Sequence, residues 1–214
     1  MAPEALPYPG LVLAGGASRR MGRDKAGLRL PDGRTLLEHA LAVLAAAVTG
    51  PLLVSTAGPV PPGRLQTWAR AAGRAVAVCP DLRPGRGPLE GIRSGLRAVA
   101  PAAWLAVLAV DLPGAAPALW IHLAPRAGDD GPVLPVAGDL RQPLAGFWPA
   151  AVLPALEAFL DQGGRRVQQL LQAVPVRWQP VTAAGMLVNC NTPAEWAAWT
   201  GHPAGARPPA PGVE

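Results

Sequence analysis

Short apolar runs alternate with segments of helical period along most of the chain. Residues 10–14 (GLVLA) contain no polar side chain and are too few for a helix, so they predict a strand buried on both faces. Residues 52–56, 75–79 and 104–110 (WLAVLAV) read the same way. Between them, residues 35–48 keep apolar positions at helical spacing, and Thr35 and Glu38 stand three apart as a capping box requires. A second helix is predicted near residues 64–72, and a third follows Pro88, a residue suited to a first helical turn. Strands buried on both faces and alternating with helices predict an α/β chain, a three-layer Rossmann-like fold with a mostly parallel central sheet. The second half is less regular. Residues 133–136 and 142–148 are two further strand candidates with antiparallel pairing left open, and a helix is expected over residues 150–161. Val167, Leu170, Leu171 and Val174 keep helical spacing after Gly163-Gly164, and Thr192-Pro193-Ala194-Glu195 starts a last helix. This is the smaller, mixed C-terminal portion of the expected fold.

The 214 residues suit one domain, placed at residues 10–201, with residues 1–9 and the proline-rich tail 202–214 expected to fray. No apolar run approaches the ~18–20 residues of a membrane span, and the first residues lack the basic and apolar regions of a secretory signal. Two cysteines without metal-ligand spacing, Cys79 and Cys190, read as free thiols, so a cytoplasmic protein without a membrane partner is expected. The net charge of +5 raises nucleic acid as a partner, but the arginines are scattered and aromatics make up only 5% of the chain. Arginines gathered by folding around a small anionic substrate fit better, and nucleic acid is set aside. Eighteen of the 19 basic residues are arginine; the single lysine is Lys25, and the only asparagines are Asn189 and Asn191. A residue type surviving at one place against such a bias points to a function there.

In open parallel sheets ligands bind beyond the carboxyl ends of the strands. The glycine-rich loop after the first strand, Ser55, Asp81 and Asp111 all fall there. The loop, LAGGASRRMGRDK over residues 13–25, frees backbone N–H groups to face an anion and adds Arg19, Arg20 and Lys25. It is neither a Walker A loop nor GxGxxG. The candidate phosphate-binding residues are Leu13, Ala14, Gly15, Gly16, Arg20 and Lys25. Asp111 ends a buried strand just before the turn at Pro113.

The same loop resembles LAGGxSxRMGxDK, the signature of the molybdenum cofactor guanylyltransferases within the wider NTP transferase superfamily. The resemblance continues through Cys79-Pro80-Asp81, Gly87-Pro88-Leu89-Glu90-Gly91 beside the family's GPLAG, and Asp111-Leu112-Pro113 beside its DxP. Gln142-Pro143-Leu144, Gly164-Arg165-Arg166-Val167 and Asn189-Cys190-Asn191-Thr192-Pro193 complete six further motifs after the loop, in order, so that the resemblance covers roughly residues 10–200.

The resemblance implies transfer of GMP from GTP to the terminal phosphate of molybdopterin, giving the guanine dinucleotide and pyrophosphate. It assigns Lys25, Arg20 and Asp111 to catalysis, Mg²⁺ to Asp111, and nucleotide contacts to Ser55 and Asp81. It places the second substrate in the C-terminal half, with Asn189 and Asn191 facing the pterin and Arg165 and Arg166 near its phosphate. Molybdoenzymes or cofactor-delivery proteins would be its protein partners. Two departures bear on the base: Ser55 stands where the family often has asparagine, and Glu90 replaces an alanine. A cytidylyl or sugar-phosphate nucleotidyltransferase of the same fold, and a non-catalytic nucleotide-binding domain, are the alternatives.

Overall fold

In the computed structural model, residues 4–14 and 25–201 are described; Gly15, Gly16 and Arg20, like residues 1–3 and the tail 202–214, lie outside them. Four strands form a parallel block: β1 (Gly10–Leu13), β2 (Leu52–Thr56), β3 (Val76–Pro80) and β4 (Trp104–Ala109), in the order β3-β2-β1-β4. Beyond β4 the sheet turns mixed. β7 (Ala145–Pro149) lies antiparallel to β4, and β5 (Val133–Ala137) antiparallel to β7; β6 (Leu140–Arg141) and β8 (Arg177–Pro180) both pair with β5. The antiparallel pairing left open for the second half is thus present.

Helices cover both faces. Val12, Val54, Ala106 and Leu108 face α1 (Leu36–Ala47), α2 (Pro62–Ala72) and α4 (Pro117–Leu123). Leu11, Leu13, Leu53, Leu105 and Val107 face α3 (Pro88–Ala98), α5 (Leu153–Asp161) and α6 (Val167–Ala173). Strand side chains alternate between faces, so a strand flanked by two helical layers must be apolar at every position, as β1 is. The capping box of Thr35 and Glu38 forms as its spacing predicts, starting α1. A last helix, α7 (Pro193–Thr200), carries its own capping box from Thr192 and Glu195 and buries Trp196 against Leu28, Leu30, Leu36 and Cys190.

Within residues 4–9, expected to fray, Leu6 donates to Ala47 O at 2.9 Å and accepts from Thr49 N at 2.8 Å, and the Tyr8 ring packs edge-on to Phe147. Apolar Leu6 and Tyr8 find partners on the sheet, which outweighs the local proline content. The strand expected at 142–148 begins only at Ala145. The helix expected from Ala150 opens with a 3₁₀ turn, Ala150–Val152, before α5. No helix among the described residues is long and apolar enough to cross a membrane.

The register aligns the carboxyl ends that matter. Leu13 lies opposite Ser55 on one side and Ala109 on the other, and Ser55 lies opposite Cys79. Ser55, Asp81, Asp111 and the start of the glycine loop therefore share one edge of the sheet.

Candidate active site

Lys25 opens a short 3₁₀ turn, Lys25–Gly27, and its side chain meets groups from two distant parts of the chain. Its Nζ donates to Asn191 Oδ1 at 2.7 Å and lies 3.5 Å from Asp111 Oδ2. The Lys25 and Asp111 side chains are 16% and 21% exposed, so the pair interacts through a medium less screening than bulk water. The backbone completes the corner: Cys190 N donates to the carbonyl of Asp111 at 2.9 Å. Glu195 Oε2, besides capping α7, accepts from Asn191 N at 2.6 Å and Thr192 N at 3.0 Å. Trp196 and Cys190, both buried, anchor this segment to residues 28–36.

Asp111 Oδ1 is buried and has no hydrogen-bond partner among the described residues. A buried carboxylate oxygen left unpaired is costly, and it supplies a vacant hard-oxygen acceptor. The described residues contain no group of three or more His, Cys, Asp or Glu side chains placed to hold a metal. A single carboxylate with an unpartnered oxygen fits Mg²⁺, which is held by one or two carboxylates with phosphates and water, and does not suit an all-protein cage.

On the neighbouring strands Ser55 Oγ donates to Asp81 Oδ1 at 2.6 Å. Burial pushes the Asp81 carboxyl above its ordinary value; the Ser55 hydrogen bond opposes that rise and the nearby charge of Glu90 adds to it. The pair sits beneath the first turn of α3, where no room exists for a side chain at Gly91. A Cβ there would lie 2.5 Å from Ser55 Oγ and 2.8 Å from Leu13 Cδ2. Ala14 N donates to Ser55 O at 3.2 Å, tying the base of the glycine loop to the same strand end.

The remaining sequence candidates fall into two further places. Asn189 Oδ1 accepts from Nε2 of Gln142, a buried side chain that also donates to Leu187 O at 3.1 Å. Arg165 and Arg166 are exposed at the start of α6 and are not drawn into the Lys25 corner, though the Arg165 backbone approaches Gly87 before α3. Arg20, Gly15 and Gly16 lie outside the described residues, so their placement does not enter the site's geometry. Sequence reasoning missed two supporting groups. Gln142 was noted only as part of a motif, and Glu195 only as a cap; a glutamate at the third position of a helix that follows an Asn-x-Asn segment is the signal that links the two roles.

A model of the MobA-like NTP transferase domain matches residues 10–181, most of the chain. The chain belongs to that family. A protein of Opitutus terrae named "Probable molybdenum cofactor guanylyltransferase" is 38% identical over 177 residues, covering 81% of this chain and 82% of its own. A Deinococcus radiodurans protein of the same name is 34% identical over 201 residues, covering 92% and 96%. Among solved structures, molybdopterin-guanine dinucleotide biosynthesis protein A from Archaeoglobus fulgidus superposes with a TM-score of 0.70 at 23% identity, over 91% of this chain and 97% of that one. A 4-diphosphocytidyl-2C-methyl-D-erythritol synthase from Anaerococcus prevotii reaches 0.65 at 11% identity, over 92% and 95%. At such identities both share the fold, and the fold alone does not select the base. The MobA-like family is one of nucleotidyltransferases, which turns the alternative of a non-catalytic domain aside.

Proposed function

We propose that this MobA-like chain transfers GMP from GTP to the terminal phosphate of molybdopterin, forming the guanine dinucleotide and releasing pyrophosphate. The observation that carries this reading is the Lys25 corner. The chain's only lysine, at the end of the glycine-rich segment, sits between Asp111 and Asn191, beside a buried carboxylate oxygen without a hydrogen-bond partner among the described residues. Relatives at 34–38% identity, each named a probable molybdenum cofactor guanylyltransferase, supply the direction toward guanylyl transfer to that cofactor.

The nucleophile is a phosphate monoester, whose second pKa near ~6 leaves it largely dianionic at neutral pH. Its oxygen attacks the α-phosphorus of GTP, the bond from that phosphorus to the bridging oxygen breaks, and pyrophosphate leaves. No proton must be removed, which suits a Lys25 corner whose contacts with Asn191 and Asp111 involve no histidine. Lys25 holds phosphate oxygens and Arg20 is assigned the same task. Ser55 and Asp81 face the nucleoside. Mg²⁺ bound at Asp111 would supply charge neutralisation on the triphosphate. Asn189, oriented by Gln142, and the Arg165-Arg166 pair are assigned to the second substrate. Molybdoenzymes or cofactor-delivery proteins remain the proposed recipients.

Pyrophosphate release with molybdopterin and each of GTP, CTP and UTP in turn tests the reading. GTP is expected to be used at least about tenfold better, the low end of the cost of leaving a buried base-recognition group unpaired. Preference for CTP would overturn the guanylyl assignment and leave the nucleotidyltransferase assignment standing.

A further inference from the structure

Glu90 is wholly buried and Arg93 nearly so, and the two are paired one helical turn apart on α3. Taking a carboxylate and a guanidinium out of water is expensive, and such a pair is weak evidence of a contribution to stability. What Glu90 holds is more specific. A glutamate at this position of a helix ordinarily reaches back to the N-cap amide; the N-cap here is Gly87, and Glu90 Oε1 instead accepts from Arg83 N at 2.9 Å. Ser94, one turn further along α3, accepts from Leu82 N at 3.2 Å through its hydroxyl. Asp81 N donates to Thr56 O at 3.1 Å. Three consecutive amides, those of Asp81, Leu82 and Arg83, are thus each fixed, the last two by side chains of α3. The Asp81 carboxylate is held in turn by Ser55.

We infer that Glu90, held in place by Arg93, is a positioning residue that acts through Asp81 on nucleotide binding. It clamps the peptide chain just after Asp81 so that the carboxylate stays at the strand edge beside Ser55. The helix N-terminus favours a negative charge at Glu90, and Arg93 supplies the opposite charge one turn further along α3. The buried pair thereby trades stability for a rigid rim on the nucleotide site, in place of the small residue the family's motif carries there. This inference rests on the reading above that Asp81 contacts the nucleotide.

The test is a double-mutant cycle on nucleotide affinity, measured by calorimetry with Mg²⁺ and without the second substrate. The ligand is whichever of GTP, CTP, UTP and ATP the wild type binds most tightly, so a wrong base in the proposed function does not affect this outcome. Glu90→Gln is expected to weaken binding about tenfold, the scale of a disturbed hydrogen bond to a charged group. In turnover the loss should fall on KM for the nucleotide and not on kcat. In an Asp81→Asn background the same substitution should add little, because the group through which it acts is already lost. Ser94→Ala, which removes the second clamp without touching the ion pair, should weaken binding in the same sense and guards against a Glu90 variant that does not fold. Unchanged affinity in both single variants, a full additive effect of Glu90→Gln in the Asp81→Asn background, or no effect of Asp81→Asn itself would overturn the inference.

Discussion

Asp111 offers its backbone carbonyl to Cys190 and Oδ2 to Lys25, while Oδ1 stays buried without a partner among the described residues. An asparagine would keep the shape and the backbone contact, but would remove the charge that faces Lys25 and that the proposed Mg²⁺ would need. Asp111→Asn is therefore expected to lower turnover on the order of 100-fold, with the melting temperature little changed. Steady-state rates set beside a thermal melt check this; unaltered turnover would remove Asp111 from catalysis. The cysteines carry the opposite expectation. Burial pushes the thiols of Cys79 and Cys190 up to about 11, with the charge of Asp81 adding to the rise at Cys79 and those of Glu195 and Asp111 at Cys190. A raised thiol pKa keeps the protonated form below that pH, and the thiol is the unreactive form. At pH 8 neither should react with a thiol-specific reagent while the chain is folded, and both should react after denaturation. Modification of native protein within minutes would contradict their burial. At this scale the candidate residues were legible at strand ends, whereas the hydrogen bond between Ser55 and Asp81 was not, because strand register is not written in either residue.

Elements divide in the same way. β1, β2, β3 and β4 were legible because each is an apolar run bounded by turn residues, and α1 because its capping box and apolar stripe agree. α4 and β8 were missed. Seven residues, PALWIHL, hold barely two turns, too few to show a period, and RWQP is a half-polar strand whose place depends on β5. α7 was anticipated from its cap, but its purpose lies in Trp196, which is buried against Leu28, Leu30, Leu36 and Cys190 and so ties the segment after Lys25 to the segment of Asn191. Trp196→Ala should cost about 3–5 kcal/mol by opening a cavity there. Because the wall it removes also sets the approach of Asn191 to Lys25, nucleotide affinity should fall at temperatures where the protein is still folded. Denaturant unfolding and nucleotide titration at one temperature check the two effects; lost stability with intact affinity would make α7 a structural cover only.

Across the whole molecule, the two halves meet at side chains more than 160 positions apart. The parallel block supplies Lys25 and Asp111, and the C-terminal segment supplies Asn191 Oδ1 and the Cys190 amide. Resemblance assigns Asn191 to the second substrate, yet its amide oxygen accepts a hydrogen bond from the lysine assigned to the first. If that contact orients Lys25 toward the triphosphate, Asn191→Ala should weaken GTP binding about tenfold or more even when no second substrate is present, as expected for one hydrogen bond to a charged group. Asn191→Asp sharpens the test. A carboxylate would hold Lys25 more tightly but would add negative charge where the triphosphate must enter, so GTP affinity should fall further than with alanine. The loss should be greatest at low ionic strength, where charges are least screened. Calorimetric titration of GTP into both variants at two salt concentrations measures this directly. Wild-type GTP affinity in both variants, together with a raised KM for molybdopterin, would return Asn191 to the second substrate alone and separate the two halves of the site.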